Sequence, residues 1–422
     1  MTNIDDPVSG QWAGRFFTIW TGQAFSLFGS QLVQFALVWY LTQETGSATV
    51  LATATLAAML PQIVLGPLAG AVVDRASRRL VMILADGFIA LSTLGLILLF
   101  SSGAIQVWHI YAAMALRSLG TAFHSPAMSA STPLMVPNKH LTRVSGMNQT
   151  LQGAMSMIAP LAGALLITVL STQLVLMIDI ITAALAIVPL VFFSIPQPPA
   201  RADPARRERS TLFQDIGEAF TYIRAWPGLV AILLMALIIN FLLTPTGALM
   251  PLLVTQYFGK GALEFGLTDT VFGLGFIGGG LLLSIWGGFK RRVATSMMGI
   301  VGIGAGILVV GLAPANAFPL ALLGLALVGI TNPMANGPLT AIVQTTVRPD
   351  MQGRVMSLLM TAATAMSPLG LLIAGPVSDW VGIRSWFWFG GAICLLMGLA
   401  GFFSPLIMNV ENQRDGQAPV SA

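Results

Sequence analysis

Five ionisable side chains lie inside long apolar runs: Asp86, Arg117, His124, Asp179 and Asp269. A charge there is costly unless it is paired or wet, so each is a candidate for proton coupling. Arg117 and His124 are seven residues apart, so on a helix both project from nearly one face, about 10 Å apart. A permanent cation and a group that titrates near neutrality can form a proton relay on that stripe. Arg117 would then tune a nearby carboxylate for which substrate and proton compete; alternatively it pairs with a carboxylate simply to hold helices together. Asp179 reads as an outer proton port or an interfacial charge. Asp86 reads as a structural partner of Arg75, Arg78 or Arg143, or as a proton carrier, and Asp269 as a proton carrier or a helix cap.

Neutral polar residues in the same runs suit a large, mostly apolar ligand. Gln23 and Gln34 are eleven residues apart, almost three turns, and share a face. Their amides can bind polar substrate groups but cannot carry a proton. Asn148, Gln149 and Gln152 fall in one later run, Asn240 in another and Asn332 and Asn336 in a third. Trp20, Phe25, Met155 and Phe241 supply the apolar wall of a small-molecule pocket. Each of these residues alternatively makes an interhelical hydrogen bond or a packing contact.

The elements that must position them follow from composition. Of 422 residues, 55% are hydrophobic and 9% charged, against about 25% charged in a soluble domain. The chain is a polytopic membrane protein, and its unbroken apolar runs are helices, because a lipid-exposed backbone must satisfy its hydrogen bonds internally. Twelve spans are expected, at 15–40, 47–73, 80–102, 107–130, 142–170 and 174–195, then 228–257, 267–289, 293–313, 317–343, 352–378 and 384–408. Of the 20 basic residues, all but Arg117, Lys260 and Arg384 fall in the N-terminal segment, alternate loops and the tail, which places both termini in the cytoplasm. Residues 1–14 lack the pattern of a cleaved signal.

The chain divides into a six-helix bundle (1–195), a cytoplasmic linker with an amphipathic helix (196–226), a second six-helix bundle (227–410) and a tail (411–422). Thr211 and Gln214 are spaced as a capping box for that helix. The bundles repeat each other. Arg143-Val144 matches Arg354-Val355 after 211 residues, and Arg78-Arg79 matches Arg291-Arg292 after 213. An even number of helices per repeat makes the copies parallel, as in transporters that bind substrate near the midplane between their halves.

The loop after the second span reads Gly66-Pro-Leu-Ala-Gly70-Ala-Val-Val-Asp74-Arg75-Ala-Ser-Arg78-Arg79. It resembles the signature loop of the major facilitator superfamily, with Ser77 where that family usually has Gly. Gly66 and Gly70 would let two helices approach closely, and Asp74 would face the positive N-terminal end of the eleventh span. The fourth span, with Arg117-Ser-Leu-Gly120, resembles the superfamily's Arg motif. Ala159-Pro160-Leu-Ala-Gly163 is similar to its antiporter motif, with Ala159 in place of the first Gly. Phe17-Thr-Ile-Trp20-Thr-Gly22-Gln23, Tyr40-Leu-Thr-Gln-Glu44 and Thr132-Pro-Leu-Met-Val-Pro137 resemble the macrolide efflux proteins within it.

That resemblance implies an all-α, twelve-helix major facilitator fold. It also implies proton-coupled export of macrolides across a bacterial inner membrane, driven by the proton gradient without a cofactor. The partners expected are an amphipathic drug and membrane lipid, with no nucleic acid, and the chain working as a monomer. Export or flipping of an endogenous lipid-like metabolite, and a non-transporting receptor that kept the fold, remain alternatives. No Walker loop is present, the three histidines lack metal-ligand spacing, and no nucleophile–base set suggests an enzyme. Gly273-Leu-Gly275-Phe-Ile-Gly278 fits a dinucleotide fingerprint, but it sits in an apolar span and reads as helix packing.

Overall fold

The computed structural model describes residues 12–196, 212–348 and 351–412. Within them the chain is helical and strand-free. Six long helices come first: α1 (Trp12–Thr45), α2 (Ala48–Arg75), α3 (Arg78–Ser101), α4 (Val107–Met135), α5 (Asn138–Val169) and α6 (Thr172–Phe192). The short α7 (Leu212–Arg224) follows, where the sequence pattern places an amphipathic helix. Residues 197–211, including Thr211 of the expected cap, lie outside the described residues. Six more long helices complete the set: α8 (Pro227–Leu252), α9 (Ala262–Trp286), α10 (Arg292–Leu312), α11 (Phe318–Thr346), α12 (Gln352–Val381) and α13 (Ile383–Phe403).

Among the described residues eleven helices are long and apolar enough to cross a membrane. The twelfth long helix, α4, falls short because it carries Arg117, two histidines and several hydroxyl side chains along its 29 residues. The helices overrun or undershoot the expected spans by a few residues, for identifiable reasons. Ser77 caps α3, its side chain accepting from the Leu80 N–H, which gives the departure from glycine in the signature loop a role. Gly287, at φ 76°, ends α9 in the left-handed conformation three residues early. The last span ends at Phe403 instead of 408, because Pro405 starts a separate short turn, Pro405–Met408.

The chain forms two units, Met1–Gly46 with Thr53–Ala202, and Ser47–Ala52 with Asp203–Ala422. In unit 1, α1 packs mainly on α6 and α5, and α3 on α4 and α6. Two apolar cores are stacked along this bundle. One gathers Phe16, Ile19, Met82, Met135 and Leu190, the other Leu32, Ala36 and Val175. The stretch of α1 between them carries Gln23 and Ser30, so a polar layer is held between two dry ones.

In unit 2, α10 is packed against α11 and α13, and α9 against α11, largely through glycine. A Cβ at Gly279 would overlap the Ile330 carbonyl oxygen, and one at Gly299 would overlap the Ala335 backbone nitrogen. One end of this unit is pinned by Arg384, whose guanidinium lies 4.2 Å from the Tyr257 ring centroid and 4.9 Å from that of Trp388. Asp379 of α12 accepts from the backbone N–H groups of Ala48 and Thr49 at 2.7 and 3.0 Å. It neutralises the positive start of α2, a role that sequence reading missed because the two segments are more than three hundred residues apart.

Candidate functional site

The polar layer of unit 1 holds two charged clusters, each assembled by close helix approach. At Gly29 a Cβ would overlap the Thr182 hydroxyl and stand 3.0 Å from the Asp179 Cα, so a bare glycine lets α6 press Asp179 against α1. At Gly120 a Cβ would stand 2.6 Å from Ile89 Cγ1, which brings α4 onto α3.

The first cluster is centred on Asp179, 1% exposed. Arg117 Nη1 lies 2.5 Å from its Oδ2. Thr93 donates to the same oxygen at 2.7 Å and itself accepts from Arg117, while Ser30 donates to Oδ1 at 3.1 Å. Four helices thus meet on one carboxylate. Desolvating two ions costs several kcal/mol each, which is offset only when the remaining lone pairs are also satisfied, and here two hydroxyls do that. The guanidinium is a permanent cation, so the Asp179 carboxylate has a fixed counter-charge at 2.5 Å.

The second cluster is of a different kind. Gln23 Nε2 donates to Asp86 Oδ2 at 3.1 Å. Its Oε1 lies 2.8 Å from His124 Nε2, and that nitrogen is 3.4 Å from Asp86 Oδ1. With the Gln23 amide donating to Asp86, its oxygen faces the imidazole, so His124 carries its hydrogen on Nε2 and donates it. The cluster joins an acid and a base side chain, and both lie between the dry cores.

These contacts correct several readings. Arg117 and His124 do share a face of α4, but each serves its own carboxylate. Asp86 meets Gln23 and His124 rather than Arg75, Arg78 or Arg143: Arg78 donates to Ala130 O at 3.0 Å, and Arg75 and Arg143 are exposed. Gln23 is not free for substrate, since both ends of its amide are engaged. Asp179 is buried and paired with Arg117, and Asp269 is exposed on α9, in neither cluster.

The other candidates are scattered. Trp20 Nε1 donates to Asn148 Oδ1 at 2.7 Å, so these two bind each other across α1 and α5. Gln34 is half-buried, whereas Gln149 and Gln152 are exposed. In unit 2, Asn240, Asn332 and Asn336 line one cavity between α8, α10 and α11. Asp74 and Arg75 are exposed at the end of α2. A Cβ at Gly66 or Gly70 would meet nothing within 4 Å, so neither glycine mediates a close approach, whereas one at Gly163 would stand 3.0 Å from the Phe35 ring. Pro160 is half-buried inside α5. Of the fingerprint-like glycines, Gly275 packs on Ala326 O, while Gly278 has open space.

The profile of the Major Facilitator Superfamily matches residues 19–366 and 241–421. The chain belongs to that superfamily. Macrolide efflux protein A of Streptococcus pyogenes is 33% identical, over 92% of this chain and 95% of the relative. The protein of that name from Enterococcus faecalis is 32% identical, over 77% of this chain and its own full length. Among solved structures, a bacterial homologue of the human lysosomal transporter Spinster superposes with a TM-score of 0.69 at 12% identity, covering 98% of this chain and all of that one. This major facilitator fold, with its multi-pass helices, is that of a membrane transporter. In superfamily terms, Arg117 of the fourth-helix motif is the partner of Asp179, and the signature loop contributes Arg78 and Arg79 as caps on the carbonyls of α4 and α6.

Proposed function

We propose that this transporter exports macrolides and related amphipathic drugs across the bacterial inner membrane by alternating access in exchange for protons, both termini lying in the cytoplasm and the chain working as a monomer. The substrate class is supported by the similarity to macrolide efflux protein A over nearly the whole chain. Proton coupling is carried by one observation, the Gln23–Asp86–His124 cluster. A carboxylate and an imidazole joined through one amide, between apolar cores, bring an acid and a base side chain together, whereas the Asp179 carboxylate has a permanent cation, Arg117, as its partner. Loading a proton neutralises the cluster's negative charge and loosens the hold of α1 on α3 and α4. The helices that carry the proton are then the helices that would shift.

The test is erythromycin uptake into everted vesicles with an imposed inside-acid gradient. Wild type is expected to accumulate drug in proportion to the gradient. Asp86→Asn is expected to lose accumulation by about 100-fold, the scale of a positioned acid–base group, while still equilibrating drug down its own gradient. Accumulation that survives collapse of the pH gradient would remove the proton, and no uptake by folded protein would remove the macrolide.

A further inference from the structure

The two repeats can be laid residue on residue. Helices α4 and α11 are both 29 residues long, and both ends are 211 apart, so His124 corresponds to Ala335, Thr121 to Asn332 and Ser125 to Asn336. The basic pairs that start α3 and α10 are 213 apart, so Asp86 corresponds to Gly299. Helix α1 and the α8 segment each end at a left-handed glycine, Gly46 and Gly259, also 213 apart. Allowing one residue for the π turn Leu253–Tyr257, Gln23 corresponds to Met235 or Ala236. The place that holds an amide, a carboxylate and an imidazole in unit 1 therefore holds only apolar or absent side chains in unit 2.

Unit 2 leaves a cavity of about 160 Å³ at that place, lined by Met235, Ala236, Ile300 and Ala335 together with the three asparagines. The cavity is open at Asn336, which is exposed, and a cavity of about 150 Å³ accepts a benzene-sized ring. The lining carries no ionisable side chain, so a cation or anion would be buried without a counter-charge. Asn240 Nδ2 donates to Ala236 O, and Asn336 Nδ2 donates to the backbone and side-chain oxygens of Asn332. Among the described residues, nothing donates to the Oδ1 atoms of Asn240 and Asn336, which leaves two acceptors for a ligand's hydroxyl hydrogens.

We propose that this cavity is a binding site for a neutral, hydroxyl-bearing six-membered ring, the size and polarity of a deoxysugar. Resting on the reading of macrolides as substrates, the site takes the neutral sugar of the drug rather than its amino sugar.

Equilibrium binding to purified protein in detergent tests it, with Ala236→Leu to fill the cavity and Asn240→Leu to remove an acceptor. Both variants are expected to weaken binding of erythromycin by about tenfold or more, on the scale of a pocket contact, and to leave its analogue without the neutral sugar unaffected. Equal losses for both drugs, or no loss for either, would overturn the assignment. A probe independent of macrolides separates this failure from that of the substrate reading. Methyl rhamnoside is expected to raise the wild-type Tm saturably and not that of Ala236→Leu. The same rise in both proteins, or in neither, would overturn the site, whereas a selective rise without macrolide binding would overturn only the substrate class.

Discussion

Replacing Arg117 by leucine should destabilise the protein by about 3–5 kcal/mol, the cost of leaving one partner of a buried pair unmatched. Asp179 would remain 1% exposed with two hydroxyl donors and no cation. Removing both charges in Arg117→Leu/Asp179→Leu should recover most of that loss, because isosteric apolar replacement of a buried pair is often neutral or better. The measurement is the Tm of detergent-purified protein for both singles and the double. A double variant no more stable than Arg117→Leu would show that the pair does not act as a unit. Transport by Arg117→Leu should vanish with the fold of unit 1, since four helices meet at this carboxylate.

The second large effect is steric. Gly279→Ala places a methyl group into the Ile330 carbonyl oxygen and 2.7 Å from its Cα. Backbone cannot yield as a side-chain tip can, so α9 must separate from α11 over several turns. Overpacking of a well-fitted core costs about 1–3 kcal/mol and occasionally more; here the upper end is expected, read as a collapse in folded yield. Gly70→Ala is the control. Nothing stands within 4 Å of its Cβ position, and alanine within a helix is favoured over glycine by about 0.5–1 kcal/mol, so its Tm should hold or rise. If both variants behaved alike, the contact geometry would not be the cause.

That contrast shows what a single sequence can and cannot disclose. The helices were legible, because spanning a membrane demands roughly twenty apolar residues and little else meets that demand. The repeat was legible because charged loop pairs recur at a nearly constant offset. Gly66 and Gly70 looked like packing glycines, and Gly275 and Gly278 like a motif to be dismissed together, yet contact is decided by which face of a helix meets a neighbour. The ionisable residues were found by their cost, but their partners were not. Gln23, Asp86 and His124 lie 63 and 101 residues apart, and only the mutual rotation of α1, α3 and α4 brings them within reach. Sequence alone therefore offers Gln23 as a substrate ligand, and Asp86 as a proton carrier or a partner of Arg75, Arg78 or Arg143, of which Arg78 instead donates to Ala130 O.

The glycine contacts of α10 also bear on history. Every side chain, alanine included, collides with the Ala335 backbone at position 299, and one at 306 stands 2.6 Å from Gly324 O. These positions correspond to Asp86 and Thr93. Whichever form the ancestral half took, no substitution at 299 or 306 alone restores the side chains of the charged layer, because the helices must part before one can enter. The tight backbone seam works as an evolutionary ratchet, and two copies that began as equals can no longer trade roles.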